Sequence, residues 1–217
     1  MSNKNITERQ NSIVIGLLLG DGYLYTDGRL QVEQSMGHEQ YLKWLYSELL
    51  TLSGKLSSNI KRIHPKTGIP SFSCRFYTRK CFTFLEALFY KKVNDEKMSS
   101  PLNRIKVNRI KVVPSTIEQL LDPIVLAVWF MDDGGKAQNT PRAAYINATS
   151  FTSSERILLQ QAVQNVFGLK INIQKAGGKN QYNFYIPASS HKKFCEIVLP
   201  TISLIPSMEY KLGDNDY

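Results

Sequence analysis

The stretch LAVWFMDDGGK, residues 126–136, runs six apolar side chains straight into two aspartates and two glycines. The same pattern occurs earlier. VIGLLLGDG, residues 14–22, matches LAVWFMDDG, residues 126–134, as an apolar run followed by Asp and Gly, and it sets Asp21 and Asp133 half a chain apart. Leu, Met and Ala favour helix, and each closing glycine sits where a C-cap ends one, so both runs are expected to be helices that stop at their aspartates. Being apolar on nearly every side, they are expected to be buried.

The segments after each motif also repeat. YLYTDGRLQVEQS reads as strand, Asp27-Gly28 turn and strand, and HEQYLKWLYSELLTL has an apolar face at helical spacing. KAQNTPRAAYINATS and SSERILLQQAVQNVFG come after the second motif in the same order. Each half continues with two more strand candidates, SNIKRIHPKTGIPSFSCRFYT or LKINIQKAGGKNQYNFYI, turning at Thr67-Gly68 and Gly177-Gly178. A further helix closes each half, RKCFTFLEALFYKK or SSHKKFCEIVLPTI. The expected fold class is α+β: two tandem αββαββα units, residues 1–100 and 116–217, related by a pseudo-two-fold axis. Residues 101–115 read as a polar, basic linker between Pro101 and Pro114, or, through the tandem RIKVN/RIKVV, as a short exposed strand. Packed side by side about such an axis, with Gly16 and Gly20 permitting close approach, the motif helices would bring Asp21 beside Asp133.

Composition narrows the class. With 217 residues, 42% hydrophobic and 11% aromatic, the chain is expected to fold along most of its length. It contains no run of about 18 uncharged apolar residues, and the N-terminal MSNKNITERQ lacks the apolar core of a secretion signal. Neither membrane insertion nor secretion is expected, which leaves an intracellular setting, bacterial cytoplasm or organelle interior. Cys74, Cys81 and Cys195 are scattered without metal or redox spacing and read as reduced packing residues, and His38, His64 and His191 are isolated. The net charge of +9 lies in the first half, where residues 1–112 hold 18 basic and 9 acidic side chains against 9 of each in the remainder. A polyanion is the natural partner of such a surface.

A carboxylate at a helix C-terminus sits in the partial negative charge of unpaired carbonyls, and two adjacent ones repel further. A divalent cation relieves both, and two carboxylates with last-turn carbonyls are the hard oxygen donors that suit Mg²⁺.

On these residues the chain resembles the LAGLIDADG homing endonucleases of the single-chain, two-motif type, from about Ser12 to Leu212. Position six of the first motif is Leu19, not Asp, and position three of the second is Val128, not Gly, so the helix packing is expected to be less symmetric than the family pattern. The resemblance implies that Asp21 and Asp133 bind the catalytic metal, Mg²⁺, with Mn²⁺ able to substitute and Ca²⁺ binding without cleavage. Asp132 reads better as a solvated or capping side chain, its backbone carbonyl and that of Gly20 being further candidate ligands. The family's water-orienting polar positions correspond to Glu33 and Asn147. Its assisting bases correspond to Lys211 and Lys111, with Lys106 as a substitute for Lys111; Lys111 precedes Pro114 while Lys211 comes after Pro206, so the two are not plain repeats.

The resemblance further implies a saddle of antiparallel strands on double-stranded DNA, read by side chains such as Lys61, Arg62, Arg75 and Tyr77 in one half and Lys175, Lys179, Gln181 and Asn183 in the other. Strand alternation turns about half of these to the helix-covered face, and Phe72, Phe76 and Phe184 read as core. The implied activity is a metal-dependent double-strand break at a long, non-palindromic site by a monomer. The alternatives on the same fold are an intron-encoded maturase with intron RNA as partner, and a non-cleaving DNA-binding protein.

Overall fold

The computed structural model describes residues 6–93, 109–138, 140 and 142–213. At its centre lie two helices, α1 (Glu8–Leu19) and α5 (Pro123–Asp133). Thr7 starts α1 through a reciprocal capping box with Gln10. Asp122 caps α5 by accepting from the Val125 N–H at 2.8 Å, with Pro123 in the first turn. Every residue from Ile13 to Leu19 and from Val125 to Met131 is buried, because each helix packs on its partner and on a sheet of its own half.

The two helices meet at equivalent positions of the repeat, as a two-fold axis between them requires. A Cβ on Gly16 would lie 2.7 Å from Val128 Cβ, and one on Gly20 would lie 2.5 Å from the Asp132 carboxylate. Gly16 corresponds to Val128 in the repeat, and Gly20 to Asp132. Both hollows are therefore on α1 and both fillers on α5, which is the asymmetry expected from Val128. Ser12 adds a cross-helix hydrogen bond to Asp122.

Each half carries a four-stranded antiparallel sheet of the same topology. The first has β1 (Tyr23–Leu24), β2 (Arg29–Ser35), β3 (Ser57–Ile63) and β4 (Pro70–Lys80) in the order β1-β2-β4-β3. The second has β7 (Gly134–Lys136), β8 (Ala144–Asn147), β9 (Asn172–Lys175) and β10 (Tyr182–Ile186) in the order β7-β8-β10-β9. Gly28, at φ 78°, makes the turn between β1 and β2. Helices α2 (Glu39–Glu48) and α3 (Thr83–Phe89) belong to the first half, and α6 (Ser153–Phe167) and α7 (Ala188–Ile202) to the second. The αββαββα order is present twice.

Three further features lie outside the repeated order. Strand β5 (Tyr90–Lys92) pairs antiparallel with β6 (Arg109–Lys111), so the linker stretch contains a short strand at the start of its second RIKV repeat; Pro101 and Lys106 lie outside the described residues. A short helix, α4 (Ile117–Leu120), precedes α5, and a 3-10 turn, Pro206–Leu212, comes after α7.

Phe76 and Phe184 are fully buried, whereas Phe72 is 46% exposed and is not core. The β3–β4 hairpin runs past the helices, so its outer residues have nothing to pack against. Cys74 and Cys195 are buried thiols, and Cys81 is half-buried. No helix among the described residues is long and apolar enough to cross a membrane.

Candidate functional site

The ends of α1 and α5 form the site. The Asp132 carboxylate reaches across from α5 and accepts the Asp21 backbone N–H at 3.0 Å, the Tyr41 hydroxyl at 3.0 Å and the Gln34 amide at 3.2 Å. The same Gln34 amide lies 3.5 Å from Asp21 Oδ2. Burial, then the nearby Asp21 charge, raises Asp132 well above the usual carboxylate range, although the bond from the Asp21 N–H opposes this. The Asp132 side chain is thus not free in solvent: it ties down the backbone just past the other half's helix.

Two lysines complete the arrangement. Lys111 Nζ donates to the Gly20 carbonyl at 2.9 Å, while Lys211 Nζ donates to the Met131 carbonyl and, at 3.1 Å, to that of Asp132. Because Gly20 and Asp132 are equivalent in the repeat, the lysines are equivalent in space, although one comes from a strand and the other from a 3-10 turn. Lys211 is only 6% exposed, and Lys111 is the more open of the two. Desolvation draws both ammonium groups below the usual lysine range, against the opposing pull of Asp132, Asp133 and Asp21.

The segments that deliver the lysines are clasped by the opposite half. The Val113 N–H donates to Glu155 at the start of α6 (2.9 Å), and the Ser207 N–H donates to Gln40 at the start of α2 (3.0 Å). His38 meets the Tyr210 hydroxyl at 3.2 Å on the same side. Burial, then the Lys211 charge, lowers the His38 pKa, against the opposing pull of Asp21.

Asp133 is pushed up to about 7, first by burial and then by Asp21, while Lys111 and Lys211 pull it down. A carboxylate held so close to neutrality gains most from a cation that shares it. Among the described residues no group of three His, Cys, Asp or Glu side chains could hold a metal by itself. The candidate donor set is two carboxylates, Asp21 and Asp133, with the Gly20 and Asp132 carbonyls beside them, each accepting from a lysine and keeping a second lone pair. Such a set fits Mg²⁺, which keeps waters and takes phosphate oxygens as remaining ligands.

The structure sorts the other candidates. Glu33 is not brought to Asp21: it is bound by Arg62, by the Ser73 hydroxyl at 2.6 Å and, at 3.6 Å, by Arg75. Its pKa is lowered chiefly by Arg62. Alternation puts Gln34, one residue along β2, at the acidic cluster instead. Asn147 is exposed on β8, where its carbonyl oxygen accepts the Thr149 N–H at 2.8 Å.

Arg62, Arg75 and Tyr77 share the sheet face of Glu33, whereas Lys61 pairs with Phe72 on the opposite face. Asn183 and Gln181 share the corresponding face of the second sheet, and Lys179 lies in the exposed turn. Lys175 pairs with Tyr182, whose ring lies under Arg156 of α6, so it belongs to the helix-covered side. Sequence pattern did not single out Gln34, Tyr41 or His38. The even-numbered, inward phase of Val32 and Gln34 along β2 was the signal that could have found Gln34.

Comparison with known proteins fits this geometry. The model of the LAGLIDADG DNA endonuclease family matches residues 11–194. The cytochrome b mRNA maturase bI2 of Debaryomyces hansenii is 29% identical over 98% of this chain and 76% of its own. The DNA endonuclease I-ChuI of Chlamydomonas applanata is 26% identical over 98% of both chains. The structure of the homing endonuclease I-WcaI bound to its DNA recognition sequence superposes with a TM-score of 0.79 at 24% identity, covering 98% of this chain and 89% of that one.

Proposed function

The chain belongs to the LAGLIDADG DNA endonuclease family, and on that footing we propose that it is a site-specific endonuclease making a divalent-metal-dependent double-strand break in a long, non-palindromic DNA site. The observation that carries this reading is the duplicated site: an acidic residue at the end of each central helix, and beside it a lysine bound to the equivalent last-turn carbonyl. The two scissile phosphates of a duplex lie on opposite strands related by a local two-fold, which a pseudo-two-fold pair of such sites matches.

A divalent cation held by Asp21 and Asp133 supplies charge neutralisation and Lewis acidity for phosphodiester hydrolysis. Lys111 and Lys211 place positive charge on either side of the carboxylates, where charge builds on the phosphate. Gln34 holds Asp132 and touches Asp21, which keeps the first carboxylate in place. The halves differ in sequence and charge, so one chain serves one site whose two sides differ.

The test incubates the protein with DNA spanning candidate insertion sites, with Mg²⁺ and with Ca²⁺, beside Asp21→Asn and Asp133→Asn. Discrete breaks that need Mg²⁺ and both aspartates are expected; their absence under all these conditions sinks the reading. The maturase relative, similar over 98% of this chain, supports a second reading in which intron RNA is bound. Tight RNA binding without DNA cleavage in the same preparation would favour it.

A further inference from the structure

The two sheets present chemically different surfaces on corresponding strands. In the first, Glu33 pairs with Arg75 and Gln31 with Tyr77. In the second, Asn147, Asn183 and Gln174 line up across β8, β10 and β9, and in the next row Tyr145, Tyr185 and Asn172 do the same. The residues between them, Ile146 and Phe184, are buried beneath, so these two rows form the outer face. Where the first sheet carries arginines and a glutamate, the second carries four carboxamides and two tyrosines and no charge.

The amides are unspent. Among the described residues Asn172, Gln174 and Asn183 make no side-chain hydrogen bond, and the NH₂ of Asn147 has none either, only its oxygen being used. The arginines of the first sheet are held in place instead. Arg62 and Arg75 share Glu33, and Tyr77 has Arg75 at 5.4 Å and Arg29 at 5.5 Å from its ring centre.

A carboxamide is both donor and acceptor, the pairing that adenine N7 and N6 present in the major groove, while the thymine methyl takes apolar contact. A guanidinium is donor only and matches guanine O6 and N7. Resting on the endonuclease reading above, we propose that the two half-sites differ in base chemistry. The C-terminal sheet reads a run of A·T pairs through the Asn147, Asn183 and Gln174 row with its neighbouring tyrosines, and the N-terminal sheet reads guanines through Arg62 and Arg75. Counterion release, and with it the salt dependence of binding, falls mainly to the N-terminal side.

The experiment selects duplexes from a randomised library with the full chain in Ca²⁺ and sequences the bound pool. One flank is expected to be rich in A·T. Asn183→Arg should shift one position of that flank to G·C, with discrimination changing on the order of ten-fold, and Gln174→Arg should shift a neighbouring position. Arg75→Gln should relax the opposite flank and flatten the salt dependence. A selected site with equal A·T content on both flanks overturns the inference alone, as does a pool unchanged by both Asn183→Arg and Gln174→Arg. A protein that selects no duplex overturns the endonuclease reading, and this inference with it.

Discussion

The carboxylate of Asp132 occupies the space a side chain at Gly20 would need: a Cβ there would lie 2.5 Å from Asp132 Oδ2 and 2.6 Å from its Cβ. One residue thereby ties down the backbone just past the neighbouring helix, orders Gln34 and Tyr41, and forbids any side chain at its own symmetry mate.

Gly20→Ala is therefore expected to destabilise the protein by about 2–3 kcal/mol, the usual scale for overpacking a tight contact. Asp132→Ala in the same chain should recover part of that loss. A double-mutant cycle by urea denaturation checks this, and additive effects would mean the two positions do not compete for space.

Asp133 sets a pH dependence. Its folded pKa of about 7 stands above the ordinary 3.8, so between those values the folded state holds a proton that the unfolded chain has released. Without divalent ions, stability should fall as pH rises from 3.8 to about 7 and then level off. Asp133→Asn removes this slope and should raise Tm by several degrees at pH 8. Mg²⁺ should raise the Tm of the unaltered protein at that pH and that of the variant much less.

Lys111→Met and Lys211→Met should each slow DNA cleavage by roughly 100-fold, the scale for losing one charge-stabilising group. Binding in Ca²⁺ should change little, since neither lysine lies on the outer face of a sheet. Single-turnover cleavage and filter binding on the same preparations separate the two effects.

Arg109 holds β6 in place. Its side chain is 7% exposed, pairs with Glu86 at 2.9 Å, and has the ring centres of Tyr90 at 4.2 Å and Tyr23 at 5.2 Å from its guanidinium carbon. Arg109→Met should cost about 3 kcal/mol, because it strands Glu86 in a half-buried position. It should also lower cleavage by loosening the strand that carries Lys111. Chemical denaturation and cleavage rates check both.

Glu33→Gln frees Arg62 and Arg75 from their shared carboxylate. Affinity for DNA should rise, and the plot of log affinity against log salt should steepen by about one contact. An unchanged slope would mean that these arginines stay clear of phosphate.

The fold was largely legible because its elements announce themselves locally: the two motif helices, the Asp27-Gly28 turn and the duplicated order of strands and helices all rest on short-range pattern. The position of the acidic pair Asp21 and Asp133 was legible for the same reason, since each follows or ends an apolar helix. Gln34 and Tyr41 were not, because what brings them to Asp132 is the phase of a strand and the packing of α2 against the far half. The equivalence of Lys111 and Lys211 was hidden by their unlike settings, a strand before Pro114 and a 3-10 turn after Pro206. Register alone separated Lys61 and Lys175 from the face their charge suggested.

With the hollows all on α1 and the fillers all on α5, the two helices fit each other as unlike surfaces, and α5 cannot pair with a copy of itself in the same way. Two α5 helices would drive Val128 into Val128 and set two Asp132 carboxylates in one buried space, whereas in two α1 helices glycine would face glycine and the backbones could still approach closely. The C-terminal half is thus committed to its fused partner, and a larger side chain at Gly16 or Gly20 calls for a smaller one at Val128 or Asp132, in the other half of the same gene.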